Sequence, residues 1–229
     1  MTQTAAHQPG TAAADKSAAL RITEIFYSIQ GESRPAGFPT VFVRLTGCPL
    51  RCGYCDTAYA FHGGTRMTLP AIADEVARYQ PRFVCVTGGE PLAQPGCISL
   101  LETLAAAGYE VSLETSGALD IAGVPEPVTI VMDIKTPGSG ESRRNRLENL
   151  PLLKAQDQVK FVICDRHDYE WSRDFCRQHK LTEHCSVLFS PSQDELPARL
   201  LAEWILDDRL HVRFQVQLHK YLWGNEPGH

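Results

Sequence analysis

Three cysteines, Cys48, Cys52 and Cys55, fall within the stretch CPLRCGYCDT (48–57). Tetrahedral zinc and a conventional iron–sulfur cluster each take four protein ligands. Three thiolates can instead hold three corners of a four-iron cubane and leave the fourth iron open. An open coordination position separates a catalytic metal site from a closed structural one. A reduced cluster with an exposed iron can bind a small chelating ligand and pass it one electron. The cysteines alone also allow a zinc knuckle with His62 as fourth ligand, or three unrelated thiols.

A second stretch with chemistry in it is TGGEP (87–91). Two glycines let the backbone approach a ligand closely, and Glu90 offers an acceptor for an ammonium group. Thr87 to Glu90, Glu114 to Ser116, Asp133 with Lys135, Ser190 to Ser192, and Gln217 with His219 and Lys220 each close a predicted strand. Polar groups at the carboxyl ends of successive parallel strands mark the edge where α/β sheets and barrels place their active sites.

The elements that must position these residues alternate. Strands are predicted over 40–46, 82–87, 109–115, 128–134, 158–164, 185–190 and 211–218, several of them near-continuous apolar runs of the kind a doubly covered parallel sheet needs. Helices are predicted over 70–80, 97–108, 168–179 and 195–206, with Gly108 as a C-terminal cap of the second. Alternating β and α with short connections implies right-handed βαβ units. About six parallel strands are too few for a closed eight-stranded barrel. A partial, open TIM-like barrel with helices outside and a doubly wound sheet both fit this pattern.

The chain has 229 residues, 43% hydrophobic and 21% charged, with a formal net charge of -5. The acidic balance argues against nucleic acid or an anionic membrane as main partner. Residues 1–19 lack an apolar core and are expected to be a disordered tail, with one domain over 20–229. Eight cysteines without a secretory signal point to the cytoplasm, where clustered thiols bind metals or do redox chemistry. Cys85, Cys97, Cys164 and Cys176 fall on predicted strands and helices and read as small hydrophobes.

The spacing Cys48-x3-Cys52-x2-Cys55, with Tyr54 before the last cysteine, resembles the cluster loop of the radical S-adenosylmethionine (SAM) superfamily. TGGEP resembles that family's GGEP stretch and weighs against the zinc reading. The resemblance implies a [4Fe-4S] cluster on the three cysteines and SAM on the open iron. Electron transfer into SAM would release methionine and a 5′-deoxyadenosyl radical that abstracts hydrogen from substrate. The hard chemistry belongs to such cofactors; the protein supplies binding, orientation and exclusion of water.

Within that superfamily, EIFYSIQGES (24–33), the cysteine loop and QVQLHKYLWG (215–224) together resemble the 7-carboxy-7-deazaguanine synthase family, over a span from about Ile22 to Gly224. The resemblance implies conversion of 6-carboxy-5,6,7,8-tetrahydropterin to 7-carboxy-7-deazaguanine with loss of ammonia. It places Ile29, Gln30, Gly31, Arg44 and Thr87 on the pterin, with Arg44 on its carboxylate, and Thr57 on Mg2+. It places Tyr54, Cys55, Asp56, Gly89, Glu90, Asp133, Ile134, Lys135, Ser190, Pro191, Ser192 and Gln193 along SAM. A homodimer and an electron-donating reductase or flavodoxin are implied partners. Asp133-Ile134-Lys135 stands where many members carry Ser-Pro-Lys, and Asp-x-Lys also occurs in glycyl-radical activases. Such an activase, or a non-enzymatic zinc or iron–sulfur module, are the alternatives.

Overall fold

The computed structural model describes residues 19–224, 226 and 228. The predicted tail therefore lies outside the described residues except for Ala19, which opens the first strand. The strands are β1 (Ala19–Ile29), β2 (Pro39–Leu45), β3 (Thr65–Thr68), β4 (Phe83–Gly88), β5 (Glu110–Thr115), β6 (Thr129–Asp133), β7 (Gln158–Ile163), β8 (Ser186–Pro191) and β9 (Arg213–Phe214). The helices are α1 (Leu69–Arg78), α2 (Cys97–Ala106), α3 (Arg166–His179), α4 (Leu181–His184), α5 (Ala198–Asp207) and α6 (Leu218–Trp223).

All nine strands form one sheet in the order β3-β1-β2-β4-β5-β6-β7-β8-β9. β1 pairs antiparallel with β2 and β3, and every pair from β2 to β9 is parallel. The parallel strands follow chain order without reversal. A doubly wound sheet reverses at its switch point, so the architecture is that of a barrel, left open because β3 and β9 are both edges.

Local signals account for two of the helix starts. Thr68 caps α1 by accepting from the Ala71 N–H, and Asp165 caps α3 by accepting from Asp168. Gly108 follows α2 at φ +88°, the left-handed position that favours glycine. Two expectations change. The strand over 211–218 shrinks to β9, and Leu218–Trp223 is helical, because the chain there leaves the sheet edge to cross the barrel mouth. β1, not predicted as a strand, is the longest element of the sheet that is antiparallel to its neighbours.

Strand alternation sorts the side chains. Val41, Val43, Leu45, Val84, Val86 and Leu113 face outward and pack with Ile72, Val76, Leu100 and Leu104 of α1 and α2. Met132, Val159, Phe161, Ile163 and Phe189 pack with Tyr169, Phe175, Leu201 and Ile205 of α3 and α5. Each fully buried aliphatic or aromatic side chain contributes about 1.5–3 kcal/mol. The alternate positions, Phe42, Arg44, Thr87, Glu114, Val131, Asp133, Lys160 and Val162, line a cleft inside the barrel.

Candidate functional site

The floor of the cleft is apolar: Phe26 and Phe42 stack at 4.9 Å, with buried Cys85 against them. Above it the parallel register sets polar groups side by side, Arg44 opposite Thr87 and Asp133 opposite Lys160. Thr87 donates to Glu114 Oε2 at 3.0 Å. Arg44 Nε donates to Glu24 Oε1 at 2.6 Å, and the Tyr59 hydroxyl donates to the same oxygen at 2.8 Å. Glu24 engages Arg44 through Nε, which leaves the guanidinium's terminal nitrogens for a ligand.

The cysteine loop forms one wall. Cys48, Cys52 and Cys55 are half-buried free thiols that all line the cleft. The loop is anchored by main chain: Glu90 N–H to Gly47 O at 2.7 Å, Gly47 N–H to Ala60 O at 2.8 Å and Gly53 N–H to Ser139 O at 3.0 Å. Burial pushes the Cys48 and Cys52 thiols up, Cys52 to about 11, with Lys135 acting the other way on both. Assembling a cluster on them would therefore release protons. His62 is exposed and lies outside the cleft lining. Among the described residues no three His, Cys, Asp or Glu side chains converge on a single ion. Three thiols spread around one cavity suit a larger cluster, and the donor set fits a four-iron cubane with one open corner.

A second wall joins the turn after β1 to the segment after β9. Gln215 accepts from Ser33 N–H at 2.6 Å and donates to Ser33 O at 3.0 Å. Gln217 donates to Glu32 Oε1 at 2.9 Å, and Leu218 N–H donates to Gly31 O at 3.1 Å. Lys220 then reaches the cysteine loop, 3.1 Å from Asp56 Oδ2. Burial raises the Asp56 carboxyl, but Lys220 and the Thr57 hydroxyl, which donates at 2.8 Å, hold it at about 2.

Of the sequence-predicted residues, Ile29, Gln30, Gly31, Arg44, Tyr54, Asp56, Thr57, Thr87, Gly89, Asp133, Lys135 and Ser192 line this cleft with the three cysteines. Gln30 Nε2 and Asp133 Oδ1 are buried there without a partner among the described residues, which suits groups awaiting a ligand.

Five predicted SAM contacts lie elsewhere. Glu90 is fully buried behind the cleft, its carboxylate filled by Thr115 Oγ, Ser116 N–H and Oγ, and Leu92 N–H. It ties the end of β4 to the end of β5. Ile134, Ser190 and Pro191 are buried outside the lining, and Gln193 is exposed. The glycines also serve protein more than ligand. A Cβ on Gly88 would meet Leu45 O at 2.3 Å, and one on Gly89 would meet Gly47 O at 2.2 Å and Cys48 Cβ at 2.9 Å. GGEP thus lets the cysteine loop sit against β4.

Glu24, Glu32 and Lys160 were not singled out in the sequence. Their only signal is a charge breaking an otherwise apolar strand (Lys160), or lying inside EIFYSIQGES (Glu24, Glu32).

The sequence pattern of the Radical SAM superfamily matches residues 42–177. The 7-carboxy-7-deazaguanine synthase of Koribacter versatilis is 45% identical over 222 residues, covering 90% of this chain and 98% of its own. That of Chlorobaculum tepidum is 46% identical over 210 residues, covering 90% and 96%. Among solved structures, QueE from Escherichia coli superposes with a TM-score of 0.73 at 21% identity, over 88% of this chain and 95% of that one. Streptococcus suis SuiB bound to precursor peptide SuiA gives 0.58 at 16% identity, over 75% and 46%. The two structural likenesses bear on the fold alone: an open, mostly parallel partial barrel.

Proposed function

This chain belongs to the radical SAM superfamily and, within it, to the 7-carboxy-7-deazaguanine synthases of queuosine biosynthesis, and from that premise we propose how its cleft works. The substrate is 6-carboxy-5,6,7,8-tetrahydropterin, which loses ammonia as its ring contracts. The observation that carries this assignment is that the three thiols, Arg44 and the Gln30–Gly31 loop open into one cleft.

Cys48, Cys52 and Cys55 would hold the [4Fe-4S] cluster. When bound, cluster and SAM supply a 5′-deoxyadenosyl radical. The chain's residues bind and orient. Asp133 Oδ1 offers SAM an acceptor beside Lys135, and Tyr54, Asp56, Gly89 and Ser192 complete that side. Arg44 presents its terminal nitrogens to the pterin carboxylate, a planar pairing that suits a guanidinium. Gln30 Nε2 offers the pterin a donor, while Glu32 and Glu114 offer acceptors to its N–H groups. α6 and the segment before it exclude water from the mouth.

Mg2+ belongs beside Thr57, which would give up its bond to Asp56 to bind it. With so few protein oxygens nearby, the ion would take most of its ligands from substrate and water. The electron donor, a reductase or flavodoxin, would approach the outer face of the cysteine loop, where Arg51 bonds to Glu141 and exposed Arg143 and Arg144 follow. We assign the enzyme to the cytoplasm as a homodimer. No helix among the described residues is long and apolar enough to cross a membrane.

The test is anaerobic reconstitution with iron and sulfide, then incubation with the carboxytetrahydropterin, SAM, magnesium and dithionite. The expected result is 7-carboxy-7-deazaguanine and ammonia in equal amounts with SAM recovered. SAM cleavage without deazaguanine would reject the assignment in favour of another radical reaction, such as activation of a protein glycine.

A further inference from the structure

Lys160 belongs to none of the motifs that mark the site. It lies on β7, on the face that lines the cleft, and its side chain is 13% exposed. Its Nζ donates to Glu32 Oε2 at 2.5 Å and lies 3.6 Å from Asp133 Oδ2, which also carries Lys135 at 3.1 Å. The other Glu32 oxygen accepts from Gln217. Both oxygens of Glu32 are thus fixed, one from mid-chain and one from the C-terminal segment. A buried ion cluster is weak evidence for stability, because desolvation offsets much of the attraction. This one lines a cleft and not a core, which points to function.

We propose that Lys160 is a positioning residue that keeps Glu32 ionised and aimed into the pterin half of the cleft. The inference rests on the pterin reading above. The charged groups facing Lys160 are Glu32, Asp133, Glu114, Lys135 and Asp56, and those facing Glu32 are Lys160 and His219. Burial works against charge on Glu32, and Lys160, with His219 and Gln217 behind it, holds the carboxyl below its ordinary range. Remove Lys160 and burial is opposed by His219 and Gln217 alone, so the carboxyl rises. Only the ionised carboxylate is a pure acceptor for pterin N–H groups.

The direction with pH follows. In a variant lacking Lys160, the pterin KM climbs as pH falls and Glu32 takes up a proton. In wild type, Glu32 stays ionised and KM carries no such dependence.

The experiment uses reconstituted holoenzyme with dithionite, measuring pterin KM and kcat from about pH 6 to about pH 8.5. Lys160→Met should raise KM about 30-fold at the acid end, less at the alkaline end. Iron content should be unchanged, and SAM affinity by calorimetry should stay within about threefold of wild type. Glu32→Gln should raise KM across the whole range. Adding Lys160→Met to Glu32→Gln should change KM by less than about threefold, because the lysine acts through the glutamate. Lys160→Gln, which keeps a polar group but no charge, is read the same way if the methionine variant does not fold. Absence of product from wild type would reject the pterin reading itself. Product from wild type, together with a pH-flat KM in the Lys160 variants or additive losses in the double variant, would overturn the role of Lys160.

Discussion

The cysteine loop and the tie between the turn after β1 and the segment after β9 line one cleft, and they are held in different ways. The loop is seated mainly by main-chain bonds, Glu90 to Gly47 and Gly53 to Ser139, with side-chain ties from Glu141 and Lys220 at Arg51 and Asp56, and its three thiols are left half-buried and unbonded to one another. The second wall is fixed mostly by side chains, Gln215 on Ser33, Gln217 on Glu32 and Lys160 on Glu32, beside one main-chain bond from Leu218 to Gly31. A wall held by its backbone frees its side chains for a metal cluster. A wall held by its side chains presents groups already charged, partnered and aimed. The first suits a cofactor assembled in place, and the second suits recognition of a small polar substrate.

The sharpest break in this comparison comes from the thiols. Cys48→Ala, Cys52→Ala or Cys55→Ala should each abolish the cluster chromophore and turnover, whereas Cys85→Ala and Cys164→Ala should keep both, as read by visible absorption and iron content. The glycines test each wall's geometry next. Gly89→Ala drives a methyl into Gly47 and Cys48, and Gly31→Ala drives one to 2.3 Å from His219 Nδ1. Gly89→Ala should lower cluster occupancy, and Gly31→Ala should leave the cluster intact while turnover falls by about 100-fold or more, the scale of a misplaced binding group.

Arg44→Ala should weaken pterin binding by about 2–5 kcal/mol, the cost of stranding a buried charge-paired partner. SAM binding, measured by anaerobic calorimetry, should be unaffected; equal losses for both ligands would mean that the two walls are not independent.

The same division decides what could be read in advance. The cysteine spacing and TGGEP are local patterns, so the metal site was legible, and so was the strand and helix alternation that gives an open barrel. β1 was not, because EIFYSIQGES alternates poorly and owes its strand to pairing with β2. The structural tie of Glu90 was not legible either: Thr115 and Ser116, from the next strand end, take up its carboxylate. The Lys160–Glu32 pair spans 128 positions, and no local pattern announces it.

Smaller effects sharpen the contrast. Gln215→Ala leaves a buried Ser33 N–H and carbonyl without partners, a loss of about 1–3 kcal/mol. It should appear in urea unfolding and in the pterin KM but not in iron content. Lys220→Met should cost less than about 1 kcal/mol, as for partly exposed ion pairs. Because Lys220 holds Asp56 at about 2, the pair is fully formed above the ordinary carboxyl range and lost only as pH falls toward the folded value. The Lys220→Met deficit in urea unfolding should therefore be constant across neutral pH.

The central claim is an iron–sulfur cluster with one open corner, held by three thiols in a cleft shared with the pterin. Electron paramagnetic resonance of the reduced, reconstituted protein tests it directly, with and without SAM. The account predicts a single [4Fe-4S] signal whose shape changes when SAM is added and which is absent from Cys52→Ala. A signal indifferent to SAM, or tightly bound zinc with no iron after anaerobic reconstitution, would contradict it.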